Sequence, residues 1–294
     1  MPAEVIKLVH AMISLMHQSL HLLRRMFDRC SGREELGPPS CELDADAASA
    51  MIEDLLRSGR PAMVGRFGCT EMSCLHNYLE IGKAGRNPLD YITGRRDQWW
   101  WNKNIMRQMR EWSGFFPAAP EYLARFCELM LRDMMELDIL GSWLPYEREV
   151  MPMIRDVPRV RLLNLEPYWS SRPWSRALEG RKVLVVHPFA ESITLQYERN
   201  RERIFENPEV LPSFSLETLA AVQSLGAGPD RFADWFEALA WMEGEMDRRD
   251  YDVCLIGCGA YGFHLAAHAK RRGRQAVHLG GALQLLFGLR GRRW

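Results

Sequence analysis

A glycine-rich turn near the C-terminus has the residue types and the spacing of a phosphate site. Gly257, Gly259 and Gly262 follow a short apolar run and precede helical apolar spacing, and Tyr261 lies inside the turn. Such a turn presents backbone N–H groups and a helix N-terminus at the carboxyl end of a buried strand, where phosphates bind. The next apolar run ends near His278. We therefore expect a nucleotide or other phosphate ligand to contact this turn and His278.

A second strand-to-helix junction combines glycine with a carboxylate. An apolar run from Pro61 ends in Arg66-Phe-Gly68, and Cys69-Thr70-Glu71 opens a helical pattern. Thr70 is predicted to be the N-cap of that helix, which places Glu71 in the first turn, where the helix dipole favours a negative charge. Glu71 is therefore either a capping carboxylate or a catalytic one.

A histidine and a glutamate lie on either side of a third junction. His187 ends the apolar run that starts at Lys182, and Glu191 opens the helical segment that follows. Because the carboxyl ends of parallel strands face one crevice, both side chains are candidates for catalysis there. The alternative for His187 is a buried histidine with a structural hydrogen bond.

The glycine turn lacks the other half of a dinucleotide fingerprint. An NAD-binding unit carries Asp or Glu at the end of the next strand to hold the ribose, but His278, Gly280 and Gly281 occupy that region here. No acidic residue is placed for the ribose of S-adenosylmethionine either. NAD- and S-adenosylmethionine-dependent enzymes are therefore the less favoured classes.

Strands alternate with helices from about Pro61 onward, which predicts an α/β fold with a Rossmann-like, mainly parallel sheet flanked by helices. Within this pattern 210–214 is predicted to be an edge strand. A helix is predicted through Leu216, Leu219 and Val222, followed by a Gly/Pro turn and, at the end of the chain, a basic tail. We expect an N-terminal helix with its linker at 1–43 and one domain at 44–294, with possible halves 44–180 and 181–294.

Composition narrows the class of protein. The chain has 294 residues with equal numbers of acidic and basic side chains, so nothing favours binding to nucleic acid. Seven scattered cysteines without CxxC spacing indicate reduced thiols in a cytoplasmic protein. No apolar run reaches the ~20 residues of a membrane span.

The first 29 residues have the apolar periodicity of an amphipathic helix. Such a helix is predicted to dock on the body of the protein or on a second subunit, which would make a homo-oligomer. Peripheral contact with the inner face of a membrane is the alternative, because Arg24 and Arg25 accompany the apolar face.

The segment 82–104 is predicted to be a long loop, and it carries three consecutive tryptophans, Trp99 to Trp101. Loops of this length tend to be functional or mobile. The tryptophans either form a packing corner or provide an aromatic wall against which a sugar or base stacks.

The two glycine-containing junctions together resemble the GT-D fold glycosyltransferases of bacterial glycan assembly. The first matching stretch is Arg66-Phe-Gly-Cys-Thr-Glu71, and the second runs from Asp252 through Gly259 to a strand that ends at Gly280. The resemblance implies transfer of a sugar from a nucleotide-sugar donor to a glycan or glycolipid acceptor in surface polysaccharide synthesis. We expect the donor to be UDP-linked. It also implies that Arg66, Gly68 and the glycine turn bind the donor.

The family's Asp-x-Glu motif, which is associated with metal and diphosphate, is altered here because Cys69 stands at the aspartate position. A thiol is a poor ligand for the hard ions Mg²⁺ and Mn²⁺. Either Glu71 binds a cation with another carboxylate such as Glu191, or Arg66 and helix N-termini neutralise the diphosphate without metal.

The expected mechanism assigns a role to each candidate. Glu71 or Glu191 would act as general base on the acceptor hydroxyl, and His187 would contact the donor phosphate or ribose. A non-catalytic nucleotide- or glycan-binding subunit of an assembly complex is the alternative.

Overall fold

The strands form one sheet in the computed structural model, which describes residues 3–32, 37–224 and 231–291. The predicted Gly/Pro turn at 225–230 and the last three residues of the basic tail lie outside the described residues. The strands are β1 (Ala62–Arg66), β2 (Ile139–Ser142), β3 (Arg159–Arg161), β4 (Lys182–His187), β5 (Ser215–Ala220), β6 (Val253–Ile256) and β7 (Gln275–His278).

The α-helices lie before, between and after these strands. They are α1 (Ala3–Ser31), α2 (Ala45–Arg57), α3 (Cys69–Gly82), α4 (Pro88–Ile92), α5 (Lys103–Glu111), α6 (Pro120–Asp133), α7 (Glu147–Val150), α8 (Ala190–Ile204), α9 (Trp235–Asp247), α10 (Tyr261–Arg271) and α11 (Leu283–Leu286).

The strand order is β3-β2-β1-β7-β6-β4-β5, and every pair is parallel. Strand β1 lies between β2 and β7, with Val64 paired to Ile139 on one side and to Val277 on the other. Both halves of the chain therefore contribute strands to one sheet. The predicted Rossmann-like α/β fold with an N-terminal helix is confirmed.

Each face of the sheet packs against its own layer of helices. Side chains such as Met63, Leu184 and Ile256 pack against α3, α6, α9 and α10. The alternating side chains, among them Val64 and Val185, pack against α2, α8 and α11. Strands buried on both faces carry near-continuous apolar runs, which is why β4, β6 and β7 were recognisable from sequence.

The chain leaves neighbouring strands toward opposite faces of the sheet. Helices α3 and α10, which follow β1 and β6, lie on one face, whereas α8 and α11, which follow β4 and β7, lie on the other. A crevice opens above strand ends where successive connections diverge in this way. We call the space above the carboxyl ends of β1, β7, β6 and β4 the strand-end crevice.

The unit that contains the glycine turn forms as predicted, with β6, α10 and β7 in succession. Helix α10 begins at Tyr261 and ends in a basic last turn before Gly273, whose φ of 82° is accessible at low cost only to glycine. Apolar residues at helical spacing, Phe263, Leu265 and Ala266, bury one face of α10 against the sheet. Local periodicity and capping agree with the fold here.

Four local predictions were wrong. Residues 208–210 form a 3-10 turn at the start of the predicted edge strand, and β5 occupies the segment where a helix through Leu216 and Leu219 was predicted. Apolar residues three apart fit a helix over so short a stretch, but in the edge strand β5 Leu216 and Leu219 face opposite sides of the sheet. Gly68, not Thr70, is the N-cap of α3, because the helix already begins at Cys69. The 82–104 loop contains the short helix α4.

No helix among the described residues has the length and apolar character needed to cross a membrane.

Candidate active site

Arg66 lies at one side of the strand-end crevice, at the end of β1. Its Nε and Nη2 donate hydrogen bonds to the Phe67 carbonyl oxygen at 3.3 and 3.1 Å. The guanidinium carbon lies 5.1 Å from the centre of the Trp143 ring, and Trp143 Nε1 donates to the same Phe67 oxygen at 2.9 Å. The opposite side of the guanidinium faces Gly280, where an added Cβ would lie 2.8 Å from Nη1. The group is therefore held in a fixed orientation.

The charge of Arg66 is not neutralised by a direct ion pair within the described part of the chain. The guanidinium contacts the Phe67 carbonyl oxygen and the Trp143 ring. Burial lowers the pKa of Arg66, while the charges of Glu71, Cys69, Glu147 and Glu166 act in the opposite direction from farther away. Guanidinium groups stay charged in proteins, so a desolvated one without a bonded carboxylate favours an anionic ligand.

Glu71 is the third residue of α3, and its side chain folds back toward the start of the helix. A Cβ at Gly68 would lie 1.9 Å from Glu71 Oε2, so only glycine leaves room for this carboxylate. The position is that of the glutamate in a capping box. Glu71 is partly buried, and its charge raises the pKa of Arg66. Capping and a role in the crevice are therefore compatible.

The glycines of the turn after β6 are required for packing. A Cβ at Gly257 would lie 2.4 Å from the Gly280 carbonyl oxygen, and one at Gly262 would lie 2.5 Å from His278 Nε2. Gly259 has a φ of 59°, a region that residues with a Cβ adopt at a cost. Each glycine of the motif thus has a structural reason that needs no ligand.

Several backbone donors of this turn already have protein partners. The N–H groups of Gly257, Ala260 and Gly262 donate to the carbonyl oxygens of Val186, Ser113 and Gly259. The loop that contains Ser113, between α5 and α6, lies against the turn. The Ser113 carbonyl oxygen accepts a hydrogen bond from the Ala260 N–H at 3.2 Å. The turn therefore has fewer amides to offer a phosphate than its sequence suggests.

His187 lies at the end of β4 beside the glycine turn, where its Cδ2 would be 3.0 Å from a Cβ at Gly257. Burial lowers the pKa of His187 to about 4, so the ring is neutral near pH 7. Its Nδ1 accepts a hydrogen bond from the Phe189 N–H at 3.0 Å. The proton therefore resides on Nε2, and His187 can donate a hydrogen bond but cannot accept a proton there.

His278 and Tyr261 have side chains directed into the protein. His278 is buried beneath Gly262, and burial, with the nearby charge of Arg66, lowers its pKa to about 3. The Tyr261 ring stacks on Trp235 at 4.9 Å, and its hydroxyl lies 3.0 Å from Ser224 Oγ. Both support the turn from below, so a contact between either side chain and a ligand remains only a prediction.

Glu191 lies across the crevice from Glu71. It is exposed in the first turn of α8 and lines a shallow pocket of about 510 Å³ with Thr194, Leu195 and Thr218. Strands β7 and β6 separate β1 from β4, a distance of roughly 14 Å at the usual strand spacing. The two carboxylates therefore lie beyond the ends of strands three positions apart in the sheet.

The residues present do not form a site for Mg²⁺ or Mn²⁺. Cys69 is exposed where a carboxylate would be needed, and Glu191 is on the far side of the crevice. Across the described ranges no group of three or more His, Cys, Asp or Glu side chains is arranged to hold a metal. Hard divalent ions take several oxygen ligands, so a lone Glu71 is an incomplete set.

One residue beside Arg66, Glu147, was missed by sequence reasoning. Glu147 is fully buried and accepts hydrogen bonds from the Ser142 hydroxyl and, at 3.0 Å each, from the N–H groups of Trp143 and Leu144. It thereby fixes the turn after β2 that places the Trp143 ring against Arg66. Nothing in its local sequence distinguishes Glu147 from a surface glutamate, whereas Trp143 and Gly280 at least directly follow strands.

Helix α1 packs on the tryptophan-containing loop. The His17 ring stacks on Trp100 with centroids 3.9 Å apart, and the Tyr91 hydroxyl lies 2.6 Å from His21 Nδ1. Arg24 Nη2 lies 2.6 Å from an oxygen of Asp97. One face of Trp100 is therefore covered by α1. Of the two hypotheses for the tryptophans, the packing corner describes Trp100.

Asp97 also belongs to a charged cluster that holds this loop. His76 bonds Asp97 through Nε2 and Glu149 through Nδ1, both at 2.7 Å, and its ring stacks on Tyr146 at 4.4 Å. Burial lowers the pKa of His76, but the hydrogen bonds and charges of the two carboxylates outweigh it and raise the pKa to about 9. The imidazolium links α3 to the loop and to α7.

This cluster predicts a stability that declines at alkaline pH. Because the pKa of His76 is raised from 6.5 to about 9, its contribution is complete below pH 6.5 and disappears as the pH rises through 9. The full effect is on the order of 3 kcal/mol. Unfolding by urea across this pH range should show the decline in the wild type. A His76→Gln variant with the same alkaline decline would contradict the assignment.

Comparison with known proteins gives little further information. No family model matches the chain, and no curated protein does. A solved structure described as the selenomethionine-substituted domain of unknown function 1792 is 14% identical, over 88% of this chain and 81% of its own, with a TM-score of 0.34. A likeness this distant supports no conclusion about function.

Proposed function

We propose that this protein is a glycosyltransferase that binds a nucleotide-sugar donor in the strand-end crevice and transfers the sugar to a glycan or glycolipid acceptor. The observation that carries the proposal is the fixed guanidinium of Arg66, which is desolvated and, among the described residues, has no directly bonded carboxylate. A diphosphate supplies the anion that such a group favours, because its oxygens accept paired N–H donors.

Helix N-termini add to the positive potential around Arg66. Helices α3, α8 and α10 each begin directly after a strand of the crevice and contain 14, 15 and 11 residues. Their dipoles favour negative charge at this edge of the sheet. Without a metal, Arg66 and these termini would stabilise the charge that develops on the leaving diphosphate.

His187 and Glu71 would serve different parts of the reaction. The neutral His187 ring, with its proton fixed on Nε2, would donate a hydrogen bond to the donor phosphate or ribose. Glu71, on the α3 side, would accept the proton of the acceptor hydroxyl as that oxygen attacks the sugar. Glu191, across the crevice, is the second candidate base.

The rival function is a non-catalytic subunit that binds a nucleotide or glycan. Cys69 at the expected aspartate position favours it, because the donor set for the family's metal is incomplete. This rival retains the role of Arg66 as a ligand for phosphate. The two functions differ in one consequence. A non-catalytic subunit would bind the donor without ever cleaving it.

Replacing Glu71 separates these functions. Glu71→Gln should lower the turnover of a UDP-sugar about 100-fold while donor binding persists, because the variant keeps the shape of the side chain and loses only its basicity. Release of UDP from a panel of UDP-linked sugars measures turnover, and calorimetry measures binding.

Glu237→Gln is the matched control for this test. Glu237 is also the third residue of its helix, α9, and its Oε2 accepts the Ala233 N–H at 2.6 Å. It is a purely structural cap, so its variant should keep full turnover. Wild-type turnover in Glu71→Gln would remove this carboxylate from the mechanism, and donor binding without cleavage in the wild type would favour the subunit.

A further inference from the structure

Helix α1 presents a broad apolar surface away from the protein. Its exposed large apolar side chains extend over most of its length and form what we call the α1 stripe: Val5, Leu8, Val9, Met12, Ile13, Leu15, Met16, Leu22, Leu23, Met26 and Phe27. Leu8, Met12 and Leu15 are each more than 60% exposed. A surface of this extent on a single helix indicates an interaction site.

The contacts of α1 with the body fix the direction of this stripe. His17, His21 and Arg24 recur at helical spacing and contact Trp100, Tyr91 and Asp97. At about 100° per residue, the mean direction of the α1 stripe lies roughly 140° around the helix from these contacts. The α1 stripe therefore faces away from these contacts while α1 is docked.

The width of the α1 stripe identifies the kind of surface it fits. Its side chains cover roughly half of the helix circumference, whereas the seam between two paired helices takes only about two positions in seven. A helix lying in the interface plane of a bilayer buries a face of this width. A flat apolar medium therefore matches the stripe better than a single partner helix does.

Charge supplies the second part of the argument. Three basic residues, Lys7, Arg25 and Arg29, and one acidic residue, Glu4, are exposed on the side of α1 that borders Leu15 and Leu22, at the edge of the stripe. Basic side chains beside an apolar face interact favourably with anionic headgroups while the apolar residues enter the acyl boundary. The chain as a whole has a net charge of zero, so this basic border is a local feature.

We propose that α1 docks the protein on the surface of an anionic lipid bilayer through the α1 stripe, with Lys7, Arg25 and Arg29 contacting the headgroups. Docking in this way keeps the contacts of His17, His21 and Arg24 with the loop that carries Asp97, so the body stays attached to the membrane-bound helix. The proposal concerns location and is independent of the reaction in the crevice.

Flotation of the full chain with vesicles tests this directly. The protein should float with vesicles of phosphatidylcholine and phosphatidylglycerol and much less with phosphatidylcholine alone. The double variant Leu8→Glu/Leu15→Glu should lower the floated fraction at least ~10-fold, and Arg25→Glu/Arg29→Glu should abolish the preference for anionic vesicles. Leu43→Glu is the control, since Leu43 is 67% exposed but lies outside α1.

Thermal unfolding of each variant confirms that the fold is retained, which is expected because the replaced side chains are exposed. Undiminished flotation of Leu8→Glu/Leu15→Glu, or absence of wild-type flotation with either vesicle, would overturn the proposal. If the wild type instead sediments as a dimer that this double variant dissociates, without vesicle binding, a second copy of the chain is the partner and the bilayer is excluded.

Discussion

Replacing Arg66 with glutamine is expected to lower kcat/KM for a UDP-sugar about 1000-fold. Glutamine loses the positive charge and the paired donors, and no other described side chain is positioned to replace them between Trp143 and Gly280. Binding of UDP itself should weaken as well, because in the proposed site the guanidinium would contact the diphosphate before and during transfer. The kcat/KM of Arg66→Lys should lie between those of the wild type and Arg66→Gln, since lysine keeps the charge without the fork of donors.

Arg181→Gln is the matched control for this substitution. Arg181 is also partly buried and also donates to a backbone carbonyl, that of Leu56 at 3.2 Å, but it precedes β4 at the opposite end of the sheet. Its loss should leave UDP affinity unchanged. Calorimetric titration of UDP into the three proteins gives the comparison, and equal affinities for Arg66→Gln and wild type would remove Arg66 from the site.

The largest effect on stability is expected from Gly257→Ala, which should lower the free energy of unfolding by about 3 kcal/mol. The new Cβ would lie 2.4 Å from the Gly280 carbonyl oxygen and 2.9 Å from Leu283 Cβ, and the first of these atoms belongs to backbone. Backbone at the ends of two central strands cannot shift without disturbing the ladder of β6 and β7. Urea unfolding measures the change.

Gly244→Ala and Gly281→Ala test whether the position rather than the residue type is responsible. Neither glycine has a heavy atom within 4 Å of an added Cβ, and Gly244 lies inside α9. Alanine in a helix interior should raise stability by about 0.5–1 kcal/mol relative to glycine. A Gly257→Ala protein as stable as wild type would show that the turn adjusts, and the packing explanation of the motif would then be lost.

The sequence was sufficient for the fold wherever a pattern is local. β6, α10 and β7 were predictable because apolar runs, helical spacing and Gly273 all agree over thirty residues. β5 was not, since Leu216 and Leu219, three residues apart, fit a helical pattern, and only pairing with β4 holds them in a strand, where they face opposite sides of the sheet.

The candidate site was predictable only in part, because its determining contacts are distant in the chain. Arg66 could be named from its position at the end of β1, but the Trp143 ring and the Gly280 backbone that hold it follow other strands. The same limit applies to Gly257. A glycine needed for a phosphate and a glycine needed for a neighbouring carbonyl oxygen look identical in sequence, and here the structure gives the second reason.

The position of β1 between β2 and β7 also constrains how the protein is made. Val64 pairs with Val277, so all of residues 67–274 must be synthesised before β1 acquires its second neighbour. Such a long sequence separation slows folding, and the unpaired edge of β1 is open to aggregation until β7 arrives. Gly280, which completes the setting of Arg66, follows β7. Nascent or truncated chains that lack β7 therefore lack the backbone that borders the Arg66 guanidinium, and the proposed donor site would form only after the sheet closes.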